Sequence, residues 1–260
     1  MEVLMFHRVL PKSLINEHDA YYLRGTLVST DYLISVIEKY LDLGFEFQTL
    51  NQALENISAK TIVLTFDDCY DDCYRFVYPI LTKYSIKATF YPTIGYCLNQ
   101  SVAPLDYYYH FINLNVCLSE KADWITGMKK KEFLKYTITE QEIYVNDLYK
   151  NNLPKIALQY MTGSNLIEVY NLGHEIGGHS LYHDIYTCLN MDEVKSDFQL
   201  MMSCFNELAI SIETFAYTDG RYNNNIIELL VKEGIKGACT IKSLQISNNS
   251  QFEIQRHFCN

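Results

Sequence analysis

Positive charge is in short supply in this chain: 21 Lys and Arg stand against 31 Asp and Glu over 260 residues, a formal net charge of −10. No basic tract offsets that deficit, which excludes nucleic acid or an anionic membrane surface as the main partner. Long hydrophobic runs are absent as well, so no transmembrane segment is expected. Met1–Arg8 has no basic stretch ahead of its short apolar one, so no export signal is expected and a cytoplasmic location is the default reading. With only 5 Pro and 11 Gly against 48% hydrophobic residues, disorder and fibrous repeats are excluded too. The eight cysteines include no Cys-x-x-Cys pair, and Cys69 with Cys73 would make at most half a metal site. They read as reduced thiols filling apolar space. The length suits one domain, residues 1–260, carrying an insertion at about 98–163.

What is present alternates. Val3–Phe6 reads as a short buried strand leading into His7. Thr61–Phe66 is β-branched and apolar throughout, as a strand buried on both faces requires, with Asp67 and Asp68 at its C-terminal end. Between these strands, Thr30-Asp31 opens an apolar-periodic helix that stops at Gly44; a strand at Phe45–Phe47 and a helix at Leu50–Ile57 follow. Next come a helix over Tyr74–Tyr84, kinked or shifted by Pro79, and a strand at Ala88–Tyr91. From about Leu98 to Thr162 short amphipathic stretches predict a mostly helical insertion holding Tyr107–His110, Trp124 and Lys129–Lys131. Its aromatics read as a small core of their own before a substrate platform, and its lysines as a solvated helix face. Strands return at His174–Ile176, Thr214–Tyr217, Gly237–Ile241 and Gln251–Phe258, separated by helices at Met191–Leu208 and Asn224–Glu233. The alternation predicts an α/β fold of βα units around a parallel sheet or barrel, with chemistry at the C-terminal strand ends.

Two segments far apart in the chain carry that chemistry. Thr65-Phe66-Asp67-Asp68 and Gly177-Gly178-His179-Ser180-Leu181-Tyr182-His183 together offer two carboxylates and two imidazoles. That is a ligand set for a divalent ion, zinc first among them, with one carboxylate left over as a base. His179 and His183 lie four apart, so one helical turn after the glycine pair would point both rings the same way, and Asp68 would complete three ligands. Adjacent side chains on a strand face opposite sides, so Asp67 and Asp68 are expected to divide the work between metal binding and proton transfer. Each segment alone has a plainer reading: aspartates after a strand often form only a turn or a helix cap, and surface helices carry such His pairs by chance. Their joint occurrence at strand ends favours the metal. His174 reads as a packed strand residue, His18 and His110 as surface or insertion residues. Glu175 either orients a ligand or lies on the strand's other face.

At these residues the chain resembles the polysaccharide deacetylase family, the carbohydrate esterases built on the NodB homology domain. Leu64-Thr65-Phe66-Asp67-Asp68-Cys69-Tyr70-Asp71-Asp72 is similar to its Thr-Phe-Asp-Asp-Gly segment. Gly173-His174-Glu175-Ile176-Gly177-Gly178-His179-Ser180-Leu181-Tyr182-His183 is similar to its Gly-x-Glu-Ile-Gly-x-His-(Ser/Thr)-x-x-His segment. The resemblance implies a distorted (β/α) barrel of about seven parallel strands, fewer than the usual eight. It further implies removal of the N-acetyl group from an N-acetylhexosamine-containing glycan or glycan precursor, with release of acetate. Asp68, His179 and His183 would bind the metal, and Asp67 would be the general base.

Leu4-Met5-Phe6-His7-Arg8-Val9 resembles the Tyr-His-Arg-Val segment of the circularly permuted branch, which makes His7 the expected general acid, protonated at rest and setting a falling alkaline limb. His257 competes for that role. Phe215-Ala216-Tyr217-Thr218-Asp219-Gly220 resembles the branch's Phe-Ala-Tyr-Pro-x-Gly loop, implying that Tyr217 and the Asp219 N–H lie at the oxyanion. Three departures stand out. Cys69 replaces a glycine, Thr218 a proline, and Ala216 an arginine that pairs with the base, for which Arg256 is the candidate substitute. The absence of an export signal points to a nucleotide- or lipid-linked N-acetylated precursor as substrate. An O-acetyl esterase, another amide hydrolase, or a catalytically silent glycan-binding homologue are the alternatives, the last disfavoured by the spare carboxylate of Asp67.

Overall fold

The computed structural model describes residues 1–56, 58–115, 127–246 and 249–259. Trp124 and Cys117, and with them part of the expected insertion, lie outside the described residues. In chain order the strands are β1 (Glu2–Phe6), β2 (Arg8–Leu10), β3 (Leu27–Ser29), β4 (Glu46–Phe47), β5 (Thr61–Asp68), β6 (Thr89–Pro92), β7 (Glu175–Ile176), β8 (Thr214–Ala216), β9 (Gly237–Thr240), β10 (Ile254–Gln255) and β11 (His257–Phe258).

Every pairing among these named strands is parallel. β5, buried at all eight positions, lies between β1 and β6, and β7 follows β6. Beyond β7 the Gly178 N–H donates to the Thr214 carbonyl at 2.9 Å and the Ala216 N–H to the Gly178 carbonyl at 2.8 Å, which carries the order on to β8. β9 and β10 come next, and at Arg256 the last strand changes partner, so that β11 pairs with β1 and closes the ring. Counting β10 and β11 as one split strand, the ring holds seven, the closed barrel that the resemblance implies. Val3, Val63, Tyr91, Ala216, Cys239 and Ile254, each from a different strand, pack together inside it. Outside, Phe6, Phe66 and Phe90 stack in register at 5.3 and 5.2 Å between ring centroids. Burying such rings against the surrounding helices supplies the main driving force for the fold.

The local signals land close to expectation, with differences of physical interest. The helix Thr30–Asp42 is capped by Ser29, whose Oγ accepts from the Tyr32 N–H at 3.0 Å, one residue earlier than Thr30. Pro79 sits in the first turn of the helix Tyr78–Lys83, behind a wide π turn at Cys73–Val77. The parallel pair β2–β3 has no periodic signal in three-residue strands and was not expected. The described residues between β6 and β7 are mostly helical, with Pro104–Asn115, Lys130–Phe133, Ile138–Leu148 and Gly163–Asn171 among their helices. Asp106 ties it to the barrel: its buried carboxylate accepts from Tyr70 at 2.9 Å, from Tyr160 at 2.6 Å, and from Tyr21. Among the described residues no helix is long and apolar enough to cross a membrane.

Candidate active site

Alternation along β5 turns Val63, Thr65 and Asp67 to the barrel interior. There Arg256, at the break between β10 and β11, meets Asp67 with two parallel bonds, Nη1 to Oδ1 at 2.6 Å and Nη2 to Oδ2 at 2.7 Å. Its Nη1 also donates to Thr65 Oγ1 at 3.1 Å. Burial by itself would raise the Asp67 carboxyl, but the guanidinium, with His179 and His7 nearby, holds it down at about 2. Asp67 is therefore a fixed carboxylate, and Arg256 is engaged with it rather than facing a substrate oxyanion.

Asp68 takes the opposite course. The backbone leaves β geometry there, with φ of 62° at Asp68 and 56° at Cys69, so Cys69 does adopt the left-handed conformation that glycine would accept more easily. The expected helical turn between His179 and His183 does not form. Left-handed residues at Ser180 (φ 58°) and His183 (φ 69°) bend the chain instead, and the two rings meet edge to face at 5.2 Å. His179 Nε2 lies 3.7 Å and His183 Nε2 3.6 Å from Asp68 Oδ1, and the three ligand atoms all fall within 4.8 Å of one another. A tetrahedral ion with ligands at ~2.0–2.2 Å spaces its donors about 3.4 Å apart, so the triad fits a divalent cation with little movement. His179 Nδ1 shares a 2.7 Å hydrogen bond with the Ala216 carbonyl, which as donor Nδ1–H leaves the Nε2 lone pair free for a metal. Burial, and after it the charge of Asp67, pushes the Asp68 carboxyl up to about 8, while burial lowers both imidazoles. A cation bound here would offset the desolvation of that carboxylate.

Around the triad lies a partly open space of about 80 Å³ that His7, Asp67, Arg256, Tyr217 and Asp219 also line. The sequence model of the polysaccharide deacetylase family matches residues 55–238, most of the chain. The chain belongs to the polysaccharide deacetylase family. Solved structures share the fold at low identity. The Streptococcus pyogenes deacetylase PplD in complex with acetate is 17% identical, with a TM-score of 0.66 over 100% of this chain and 92% of that one. IcaB from Ammonifex degensii is 17% identical, with a TM-score of 0.64 over 100% and 91%. A de-N-acetylase from Aggregatibacter actinomycetemcomitans, also 17% identical, gives 0.63 over 98% and 93%. No curated protein matches the chain.

Within this polysaccharide deacetylase the remaining expected site residues separate by environment. His7 lines the cavity, its ring parallel to Phe258 at 6.0 Å, whereas the side chain of His257 is exposed and outside the lining. Burial outweighs the pull of Asp67 and brings the His7 imidazole down to about 4, so it is neutral at rest, contrary to the expected imidazolium. Tyr217 is not a free donor, for its hydroxyl donates to the Phe252 carbonyl at 3.1 Å and its ring stacks on Tyr222. Asp219 stands in a left-handed turn (φ 53°) at the cavity edge, its carboxylate paired with Arg221 at 2.9 Å. Glu175 faces away from the metal triad and accepts from Thr89 Oγ1 and the Asn51 N–H, each at 2.9 Å. His174 is packed, accepting from the Ala88 N–H at 3.2 Å. The reading of Lys129–Lys131 as a solvated face fails at its middle residue: Lys129 and Lys131 are exposed, but Lys130 turns into the cavity. Only tertiary contact reveals it, since three lysines in a row look alike in the sequence.

Proposed function

We propose that this carbohydrate deacetylase hydrolyses the N-acetyl group of an N-acetylhexosamine, using a divalent ion, zinc first, held by Asp68, His179 and His183. One observation carries the reading: an ionised, buried carboxylate, Asp67, stands beside a complete three-ligand triad without being part of it. A binding module has no use for that spare base. When bound, the ion would supply Lewis-acid chemistry, polarising a carbonyl and making water more acidic.

The chain's own residues do the rest. Arg256 fixes the orientation and charge of Asp67, which accepts the proton of the attacking water. The Asp219 N–H, at the cavity edge, is the proposed donor to the developing oxyanion. His7, neutral at rest, is the proposed donor to the departing nitrogen: the proton that Asp67 takes from the attacking water passes on to His7, which gives it to the nitrogen as the C–N bond breaks. Acetate and a free amino sugar result.

The test is metal content by elemental analysis, together with acetate release from matched N-acetylated and O-acetylated sugars. Asp67→Asn should keep its metal and lose roughly 10²–10⁴-fold in turnover, the usual scale for general-base catalysis, while His183→Ala should lose metal and activity together. Equal metal loss in both variants, or acetate from O-acetyl sugars alone, would refute the reading.

A further inference from the structure

The cavity around the triad is narrow and open to one side, so an acetamide seated at the triad leaves the rest of the substrate toward its outer edge. Lys130 stands at that edge, half-buried, with its Nζ 5.6 Å from the ring centroid of Tyr109. The lysine ion pairs among the described residues are those of Lys135, Lys195 and Lys236, so Lys130 has no carboxylate partner there. Tyr109 lines the same cavity, only 1% exposed, and its buried hydroxyl has no hydrogen-bond partner. Arg24 lies against the same ring at 5.4 Å and is also without a carboxylate among the described arginine pairs. Arg24 is exposed and lines an outer groove of about 810 Å³ that shares no lining residue with the cavity.

Arg24 is solvated, but a cation bound at the triad would take up the Asp68 carboxylate whose charge Lys130 otherwise faces, leaving half-buried Lys130 and the buried Tyr109 hydroxyl without an acceptor. A cation beside a divalent-metal triad also repels the ion it neighbours. Neutral sugar hydroxyls would not compensate for that cost, whereas a phosphate would, since ammonium, guanidinium and hydroxyl donors all bond strongly to its oxygens. The groove beyond carries Glu17 and Asp31 as well as Lys12, so it is not basic throughout, and the anion is placed at the Tyr109 edge.

We propose that Lys130 and Tyr109, backed by Arg24, form a phosphate subsite, and that the substrate is a phosphate or diphosphate ester of an N-acetylhexosamine whose carrier group lies in the outer groove. The proposal rests on the deacetylase reading for the sugar and on the geometry above for the phosphate.

Calorimetric binding to the zinc-loaded full-length Asp67→Asn protein, which holds substrate without turning it over, tests it. The ligands are an N-acetylhexosamine 1-phosphate, its neutral methyl glycoside, and the nucleoside diphosphate and prenyl diphosphate forms. The 1-phosphate should bind roughly 10- to 100-fold more tightly than the glycoside, the scale of a charge-assisted hydrogen bond. Adding Lys130→Gln or Tyr109→Phe should shrink that ratio, and Lys130→Arg should keep most of it. Equal binding of the two sugars, binding of neither, or a ratio that survives Lys130→Gln would overturn the subsite. Extra affinity from one carrier supports the groove assignment and identifies the carrier; none from either overturns that part. Acetate release by the unmutated enzyme is scored separately, so phosphate-selective binding without acetate would defeat the deacetylase reading and leave the subsite standing.

Discussion

Asp67 and Asp68 are chemically identical neighbours that reach opposite electrostatic states. Strand alternation sends Asp67 to the interior, where Arg256 holds it ionised, and a left-handed backbone aims Asp68 at two imidazoles, where burial and the charge of Asp67 outweigh the pull of Lys130 and Arg256. The arginine is thus the residue on which the base depends. In Arg256→Met the burial of Asp67 would lose its main opposing charge and its pKa would rise from about 2, so the acid limb of the pH–rate profile should move to higher pH. A limb that stays in place would show that Asp67 does not gate the rate. His7, brought down to about 4, does not set the alkaline limb of the free enzyme.

At the scale of elements, the metal-binding loop exists because β7 ends in two glycines that let neighbouring strands close in. A Cβ on Gly177 would run into the Tyr91 ring and stand 2.9 Å from the Thr214 carbonyl oxygen. Gly177→Ala should therefore cost roughly 1–3 kcal/mol in thermal unfolding, as overpacking does, and should weaken metal binding by displacing His179. Unchanged stability and metal content would contradict that packing. The helical stretch after β6 is held in another way, by one buried carboxylate shared among tyrosines. Asp106→Leu would leave the hydroxyls of Tyr21, Tyr70 and Tyr160 without their acceptor, at about 1–3 kcal/mol for each group left unsatisfied. The expected outcome is a clearly lowered melting temperature, together with a disturbed cavity, since Tyr21 and Tyr70 form part of its wall.

Across the whole molecule, burial of the metal triad links stability to pH. Asp68 at about 8, against an ordinary 3.8, makes the folded metal-free protein bind a proton that the unfolded chain releases, so stability falls as pH rises through that interval. His7 and His174, lowered from 6.5 to about 4, act in the opposite sense, as do the lowered imidazoles of His179 and His183, but only up to about one unit above 6.5. Between about pH 7.5 and 9, where an unfolded imidazole no longer titrates, the metal-free protein should lose roughly 1 kcal/mol, a loss that bound metal, by keeping Asp68 ionised, should abolish. Thermal unfolding of stripped and metal-loaded protein across that interval checks it. A flat profile for the stripped protein would mean that Asp68 is better solvated than its surroundings indicate.

The sequence by itself determined the parts that depend on near neighbours. β-Branched runs specify buried strands, alternation separates Asp67 from Asp68, and the quoted motifs were enough to name the triad and the family. The tertiary structure alone decided what depends on residues distant in the chain. Ring closure places Arg256 against a carboxylate 189 positions away, and a bend with two left-handed residues does what a helical turn was expected to do. Packing of the helical stretch turns Lys130 inward while its neighbours stay in water. Desolvation, which sets the charge of His7 and Asp68, is a property of everything packed around a group, and no local pattern encodes it.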